Sequence, residues 1–586
     1  MSAPDTNSTD DLVVVTLNVW GLLGLSKERE RRVGALCAWL ADAQRHLRPP
    51  ADAADDALLP FASSFWSPRP ISLVLLQEVW VASDAAKLAA AAKRGGLHYS
   101  MHFCSGAFGS GLLTLSRHPI AAARLHTFAA RGDPCAVFSG DFYAAKGVGW
   151  CRVELPGGAG YLHVFNTHLC SNYRHTFRAL PLLPASAVTV PGAGEDGGGG
   201  DRAARRAARR AAVECGDSGV RVPTDADAAT RVAQVLELCD FVREVSGLGE
   251  GGGGGADGSR PLPLPRVVLA GDLNSEPDTL EIAVLRARLP ELADAWAETA
   301  AWRAAAHQSS GPRGPGAPEL EGYTCASPLN TYRPRRQVPE RIDYVWSTLA
   351  PRAAALDLAR VPMASGGGKA CSYSDHLAVR AALATDATAA AAASVSASAE
   401  EAARAAASTP TPKSPGVAGL LLRRARAAGI GGSGGGSALA ATATTIASAD
   451  TDEASSPAGV ARADLVGAAV VLAEGAEEFA GLASGNALLG GLALITSLYT
   501  AVALPFCAPG VVRWLLSSSS GAAAAAVALV AVLSGAGGFA LFVAGFFAAR
   551  SQQTALTMAL RSHVLLLRRR GLCPGGGEAD GGGGRA

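Results

Sequence analysis

Residues 12–21 read LVVVTLNVWG, an uncharged run of Val, Leu and Thr closed by Asn18 and then by Trp20-Gly21. Short, Val- and Leu-rich and bounded by polar or turn residues, Leu12–Val19 reads as a β-strand with a polar side chain at its end. Seven further runs have the same character: Ser72–Gln77, Leu112–Ser116, Val148–Leu155, Leu162–His168, Val267–Gly271, Ile342–Trp346 and His376–Leu383. Between them, Lys27–Leu47 and Ala229–Val245 read as amphipathic helices. In the second, Val232, Val235, Leu236, Cys239 and Val242 fall on one face. Many strands with few helices predict an α/β fold from Asp11 to about Ala384, with sheets packed face to face and helices outside.

Composition divides the rest. The 586 residues carry 52 Lys+Arg against 51 Asp+Glu, a formal charge of +1 that favours neither nucleic acid nor acidic ligands. The 18% charged fraction is below the roughly 25% of an average soluble domain, and the mean hydropathy of +0.19 predicts that part of the chain sits in lipid. Eleven cysteines without a CxxC pair exclude a disulfide-stapled secreted domain and any zinc site of ordinary spacing. The opening residues are polar and acidic, so no secretory leader is expected.

Two stretches interrupt the strand pattern. Residues 181–228 hold a Gly run and the cluster Arg202, Arg205, Arg206, Arg209 and Arg210, and residues 247–265 are rich in Gly and Pro. Both exceed ordinary loop lengths and are expected to be disordered inserts. Residues 385–460, mostly Ala, Ser, Thr, Gly and Pro, are expected to be a low-complexity linker. Within 479–549 two charge-free runs flank the lone Arg513. Each is long enough to cross a bilayer, so a C-terminal transmembrane helical hairpin is expected. Arg550, Arg561 and Arg568–Arg570 follow it, in a basic, Gly-rich tail over 550–586. Positive charge on that side is expected to place the tail and the folded N-terminal part in the cytosol, on an endomembrane or the inner leaflet of the plasma membrane.

Six segments at strand ends carry the chemistry: Asn18-Val19-Trp20-Gly21, Gln77-Glu78-Val79-Trp80, Asn166-Thr167-His168, Gly271-Asp272-Leu273-Asn274, Arg341-Ile342-Asp343-Tyr344 and Ser374-Asp375-His376. Strand ends let a rigid sheet present polar groups into one crevice. Each segment alone is unremarkable as a polar turn; the set in this order is not. In this order they resemble the endonuclease/exonuclease/phosphatase superfamily of metal-dependent phosphodiesterases. Residues 110–120 (SGLLTLSRHPI), Arg231–Gln234, Ala293–Trp296 and Gly322–Thr324 with Asn330 are similar to its membrane-anchored neutral sphingomyelinase branch. The resemblance implies a four-layer α/β sandwich. It also implies one or two divalent metals, normally Mg²⁺ with Mn²⁺ an alternative, and cleavage of sphingomyelin or a related phosphosphingolipid or lysolipid to ceramide and phosphocholine.

Physical chemistry agrees with that implication. Phosphodiester hydrolysis places charge on the phosphoryl oxygens and the leaving alkoxide, which a hard cation on few carboxylates can absorb. Glu78 is the expected metal ligand, with Asn18 beside it and Asp375 touching metal or metal-bound water. His376 suits a general base near neutral pH, and family correspondence supplies Asp343 as its orienting carboxylate. Asp272 and Asn274, two apart on an extended segment, are expected to point the same way and hold water and a phosphate oxygen. His168 is expected to donate to the phosphoryl oxygens. Lys146-Gly147 also resembles a step found in this branch. The remaining histidines lack motif context and read as surface or packing residues, and the Arg-rich insert as a solvated helix.

Among other functions, a nuclease lacks its concentrated basic surface here, and an inositol-phosphate or phosphoinositide phosphatase would need more basic residues near the site. A catalytically dead scaffold would tolerate Ala or Asn at Glu78 or His376. The expected partner is a sphingolipid in a membrane, with no nucleic acid and no protein partner predicted.

Overall fold

The opening run forms β1, Leu12–Asn18, in the middle of a sheet. β2 (Ile71–Gln77) lies parallel to it and β12 (Ala378–Leu383) antiparallel. With β3 (Tyr99–Phe103), β4 (Leu112–Ser116) and β11 (Pro351–Asp357) they make a six-stranded sheet in the order β11-β12-β1-β2-β4-β3. The second sheet runs β5-β6-β7-β8-β10-β9: Ile120–Thr127, Gly147–Glu154, Tyr161–His168, Arg266–Asp272, Asp343–Ser347 and Ala293–Asp294. Each sheet holds one parallel pair, β1–β2 and β7–β8, among antiparallel neighbours. This is a computed structural model that describes residues 11–42, 70–105, 109–133, 141–171, 227–249, 264–300, 303, 321–334, 337–361, 371–385 and 550–569, with isolated positions between 465 and 492.

The uniform hydrophobicity of β1 follows from burial on both faces, as expected of a central strand beside a parallel neighbour. Successive side chains alternate. Val13, Val15 and Leu17 face Val33, Leu36 and Leu40 of helix α1 (Arg29–Ala41) and Leu88 and Ala92 of α2 (Ala82–Arg94). Leu12 and Val14 instead join Leu73, Leu75, Val164, Val268 and Val345 between the sheets. The second sheet is covered by α3 (Ala228–Ser246) and α4 (Leu280–Arg288), through Val232, Val235, Cys239, Val242, Ile282 and Leu285. A short α5 (Ala295–Glu298) follows β9. Helix, sheet, sheet, helix is the expected sandwich.

The chain beyond 385 departs from the expected outline. The start of the basic tail is a helix, α6 (Arg550–Arg569), and it packs on α3. Leu556 and Leu560 are buried in the same core as Val232 and Val235, together with Leu465, Ala468, Val471 and Leu472. A Cβ on Gly475 would lie 2.2 Å from the Ala229 Cβ. The Gln552 side chain accepts from the Arg131 amide and donates to the Ala129 carbonyl. The two charge-free runs lie outside the described residues apart from isolated positions, as do the linker and most of both inserts. Among the described residues no helix is long and apolar enough to cross a membrane. The insert expected to end at 228 gives way to helix there, and Leu248, inside the second expected insert, is buried.

Candidate active site

Strand direction brings the six segments to one end of the sandwich. β1, β2, β7 and β8 terminate at Asn18, Gln77, His168 and Asp272, whereas β10 begins at Asp343 and β12 just after His376. β10 is antiparallel to β8 with Asp343 directly opposite Asp272. The two carboxylates and His376 place ligand atoms within 4.8 Å of one another.

Asn18 joins the two sheets. Its Nδ2 donates to Glu78 Oε1 and to Asp272 Oδ2, both at 2.9 Å, while Oδ1 accepts from the Trp20 amide. A backbone N–H can only donate and carboxylates only accept, so the amide orientation is determined. Asn18 therefore bridges Glu78 to Asp272, with its oxygen already engaged by Trp20. His376 Nδ1 lies 2.8 Å from Asp343 Oδ2, both residues buried, so the residues expected as base and orienting carboxylate are brought into contact. The Asp343 backbone N–H and that of Ile342 donate to Thr324 Oγ1, fixing the strand start. The other carboxylate oxygen, Asp343 Oδ1, is buried and has no hydrogen-bond partner among the described residues.

Asn274 corrects one expectation. The chain turns after Asp272: Asn274 has φ 46°, its N–H donates to Asp272 Oδ1, and its Nδ2 donates to Leu169 O. The two side chains are thus set by a tight turn, and an extended segment does not align them. The turn is reached through Gly271, where φ is 147° and a Cβ would meet Thr167 O at 1.9 Å, so only glycine lets β8 approach β7 there. Trp20 (φ 51°), Glu78 (φ 58°) and Ala145 (φ 40°) are also in left-handed conformations at this end. Such strain, about 1–3 kcal/mol each, persists where the surroundings over-determine it.

Two contributors were not singled out as site residues by the sequence. Gln77 Nε2 donates across the sheet interface to Asn166 Oδ1 at 2.8 Å, and Asn166 Nδ2 donates back to Leu76 O. This buried amide pair registers the end of β2 against the end of β7, and so Glu78 against His168. The polar residues within both motifs were the available signal. Arg32 on α1 is the other: its guanidinium donates to Val19 O, Trp20 O and Tyr373 O, tying the loop after β1 to the segment before Asp375. It also sits over the Trp20 ring, 4.9 Å from the centroid. An Arg on a surface helix carries no sign of that role.

His168 is buried against Lys146, whose Nζ lies 3.2 Å from His168 Nε2, 2.6 Å from Asp141 Oδ1 and 2.9 Å from Leu169 O. His168 Nε2 is also 3.5 Å from Asp272 Oδ2. Burial, then the Lys146 and His376 charges, push His168 well below its ordinary pKa, which favours the neutral ring. Burial disfavours charge on His376 too, but Asp343 and Cys325 overcome it and raise its pKa. Burial and the neighbouring Asp343 push Asp272 up to about 7. Burial and Asp375 likewise raise Glu78, and burial raises Asp375. Crowded carboxylates held above their usual range, with an unpartnered Asp343 oxygen, are a donor set short of positive charge. They fit a hard divalent cation.

The fold and this site place the chain in the Endonuclease/Exonuclease/phosphatase family, which it matches over residues 15–376; the chain belongs to that family. Relatives it matches carry the names of sphingomyelinases and phosphosphingolipid phospholipases C. It is 31% identical over 163 residues to a putative neutral sphingomyelinase of Drosophila melanogaster, covering 28% of this chain and 30% of that one. It is 32% identical over 170 residues to the inositol phosphosphingolipids phospholipase C of Saccharomyces cerevisiae, covering 29% and 34%. It is 26% identical over 290 residues to human sphingomyelin phosphodiesterase 2, covering 49% and 46%. The matches thus span 30 to 46% of these relatives' lengths. Among solved structures, sphingomyelinase C from Streptomyces griseocarneus is 17% identical with a TM-score of 0.34, over 64% of this chain and 99% of that one.

Proposed function

We propose that the chain is a divalent-metal-dependent, phospholipase-C-type phosphodiesterase. Its substrate is sphingomyelin or a related phosphosphingolipid or lysolipid, and its products are ceramide and phosphocholine or the corresponding headgroup. Mg²⁺ is the proposed metal, with Mn²⁺ able to replace it. The catalytic domain faces the cytosol, held at an endomembrane or the inner leaflet of the plasma membrane by the hairpin at 479–549. The reading rests chiefly on the meeting of the His376–Asp343 pair with the Glu78–Asn18–Asp272 cluster at one mouth, and it is supported by relatives that act on sphingolipids.

Glu78 and Asp375, with Asp272 able to contribute, would hold the cation, which when bound supplies Lewis-acid stabilisation of phosphoryl charge and of the leaving oxygen. The protein's own groups do the rest. Asp343 fixes the His376 tautomer by accepting from Nδ1–H, so that Nε2, on the ring edge away from Asp343, takes a proton from water. Asn274 and Asp272, joined by their turn, orient that water. His168 would donate toward phosphate oxygens, its ring beside Lys146, which Asp141 and Leu169 O hold in place.

The test is purified full-length protein with Mg²⁺ and with chelator, offered ceramides carrying phosphocholine, phosphoethanolamine or phosphoinositol and their lyso forms, with the released headgroup measured. Metal-dependent headgroup release is expected. Activity confined to soluble inositol phosphates or to DNA would replace this reading with another of the family's chemistries.

A further inference from the structure

Leu22, Leu23 and Leu25 are 37, 69 and 75% exposed, within four residues of one another. The other large exposed apolar side chains among the described residues are isolated from one another along the sequence, as is ordinary on a protein surface. The leucines belong to the loop that leaves β1 at the active-site cluster. Trp20 lies two residues past Asn18, and a Cβ on Gly21 would fall 2.2 Å from Glu78 O. The loop is built to hold them outward. Arg32 Nε donates to Lys27 O and its NH1 and NH2 to Val19 O and Trp20 O, closing the loop base, and Ser26 N donates to Leu22 O across its tip. Trp20 packs edge-on against Tyr332 at 5.4 Å. With its ends fastened, the loop exposes three leucines as a fixed patch.

We propose that the loop Leu22–Leu25 is an interfacial anchor that inserts into the surface of a lipid bilayer and sets the mouth of the active site against the membrane. This rests on the lipid-hydrolase reading above, which requires a bilayer to reach this mouth. Charge selects the kind of lipid surface. Along the loop and the first turn of α1, the outward Lys27, Arg29 and Arg31 are matched by Glu28, Glu30 and by Asp84, which pairs with Arg29, while Arg32 is buried beneath the loop on backbone carbonyls. The collar has no net pull on anionic headgroups, so insertion is apolar and zwitterionic lipid suffices, with little dependence on salt.

The test uses full-length protein in vesicles of pure phosphatidylcholine, with no sphingolipid present. A polarity-sensitive fluorophore is placed at Leu23→Cys in a Cys104→Ser background, Cys104 being an exposed cysteine. The lipids carry nitroxide on their acyl chains. A control fluorophore goes at Ala159→Cys, exposed in the turn before β7, at the end of that strand opposite His168. Quenching at 23 and none at 159 is expected, unchanged on adding salt. In parallel, Leu22→Ser, Leu23→Ser and Leu25→Ser together are expected to slow hydrolysis of long-chain sphingomyelin in vesicles about tenfold or more. Hydrolysis of a monomeric short-chain analogue should be unchanged, which also reports an intact fold. No quenching at 23, or a triple variant at the native rate on vesicles, overturns the inference. Shielding of residue 23 from aqueous iodide without lipid quenching overturns it too, and assigns the patch to a protein surface. Quenching at 23 without hydrolysis of any sphingolipid would instead fail the lipid-hydrolase reading while the anchor stands.

Discussion

Replacing Asp343 with Asn removes one charge from the site while keeping its shape. In the native protein His376 Nδ1 and Asp343 Oδ2 are 2.8 Å apart and both side chains are buried. If His376 takes a proton from water, as proposed, the imidazolium forms beside that carboxylate. At this spacing, with an effective dielectric near 20, the attraction is worth about 4–6 kcal/mol. The amide oxygen can still accept from Nδ1–H and recovers part of it, so about 4 kcal/mol of transition-state stabilisation is expected to disappear, or about 10³-fold in kcat. The assay is turnover of sphingomyelin in detergent micelles at saturating Mg²⁺ from pH 6 to 9, for the native protein, Asp343→Asn, His376→Ala and the double variant. Because the two residues act as one unit, the double variant should be no slower than His376→Ala alone. If Asp343→Asn stays within threefold of native kcat, or the two losses multiply, Asp343 does not act through His376.

Glu78→Gln should abolish turnover at millimolar Mg²⁺ while circular dichroism and the unfolding midpoint stay native, because a neutral amide is a far weaker ligand for a hard cation; near-native activity across a Mg²⁺ titration would exclude Glu78 as a ligand. The stability of the metal-free protein should fall as pH rises. The Asp272 pKa is raised from 3.8 to about 7, so its charge opposes folding progressively between those values and fully above the upper one. His376, raised above its ordinary value, contributes stability that is complete below its unfolded pKa and lost as pH climbs through the folded one. The rise in Tm on adding Mg²⁺ should accordingly be larger at pH 7.5 than at pH 5.5, and equal shifts would count against a cation among these carboxylates. Leu556→Ala, at a fully buried position on α6, should cost about 2–5 kcal/mol in urea unfolding, and a chain ending at Ala384 should lose stability for the same reason; a change below 0.5 kcal/mol in the first would mean that α6 does not dock on α3.

Local pattern in the chain located the strands that present chemistry. β1, β2, β4, β6, β7 and β8 are Val- and Leu-rich central strands, and their observed ends agree with the predicted ones to within a residue. The strands missed are edge or Ala-rich ones. β5 (IAAARLHT) is largely half-exposed and β11 (PRAAALD) is built on alanine, so neither carries a β-branched signature. Helices α2 and α6 were missed too. α2 is an alanine-rich surface segment, and α6 carries an arginine-laden sequence whose buried face, Leu556 and Leu560, is defined only by α3 opposite.

The order of residues along the chain dictates which groups are available and where: a carboxylate after β2, a histidine ending β7, Asp and Asn around the end of β8, and Asp-His before β12. It also determined the alternation that buries β1 on two faces, since side-chain period is a property of the chain alone. The tertiary structure alone decided what those residues do to one another. Asn18 became a bridge between Glu78 and Asp272, residues 60 and 254 positions away in the chain. Gln77 and Asn166 became a clamp between two sheets, and Arg32 a tie between the loops behind Trp20 and before Asp375. Leu465, Ala468, Val471, Leu472 and Ala476, beyond the expected linker, and Leu556 and Leu560 of α6, in the expected tail, became part of the core over α3. Each of these depends on distances between segments remote in sequence. Hydrogen bonding, desolvation and charge coupling act over a few ångströms of space, and spacing along the chain does not contain that distance until the sheets have packed.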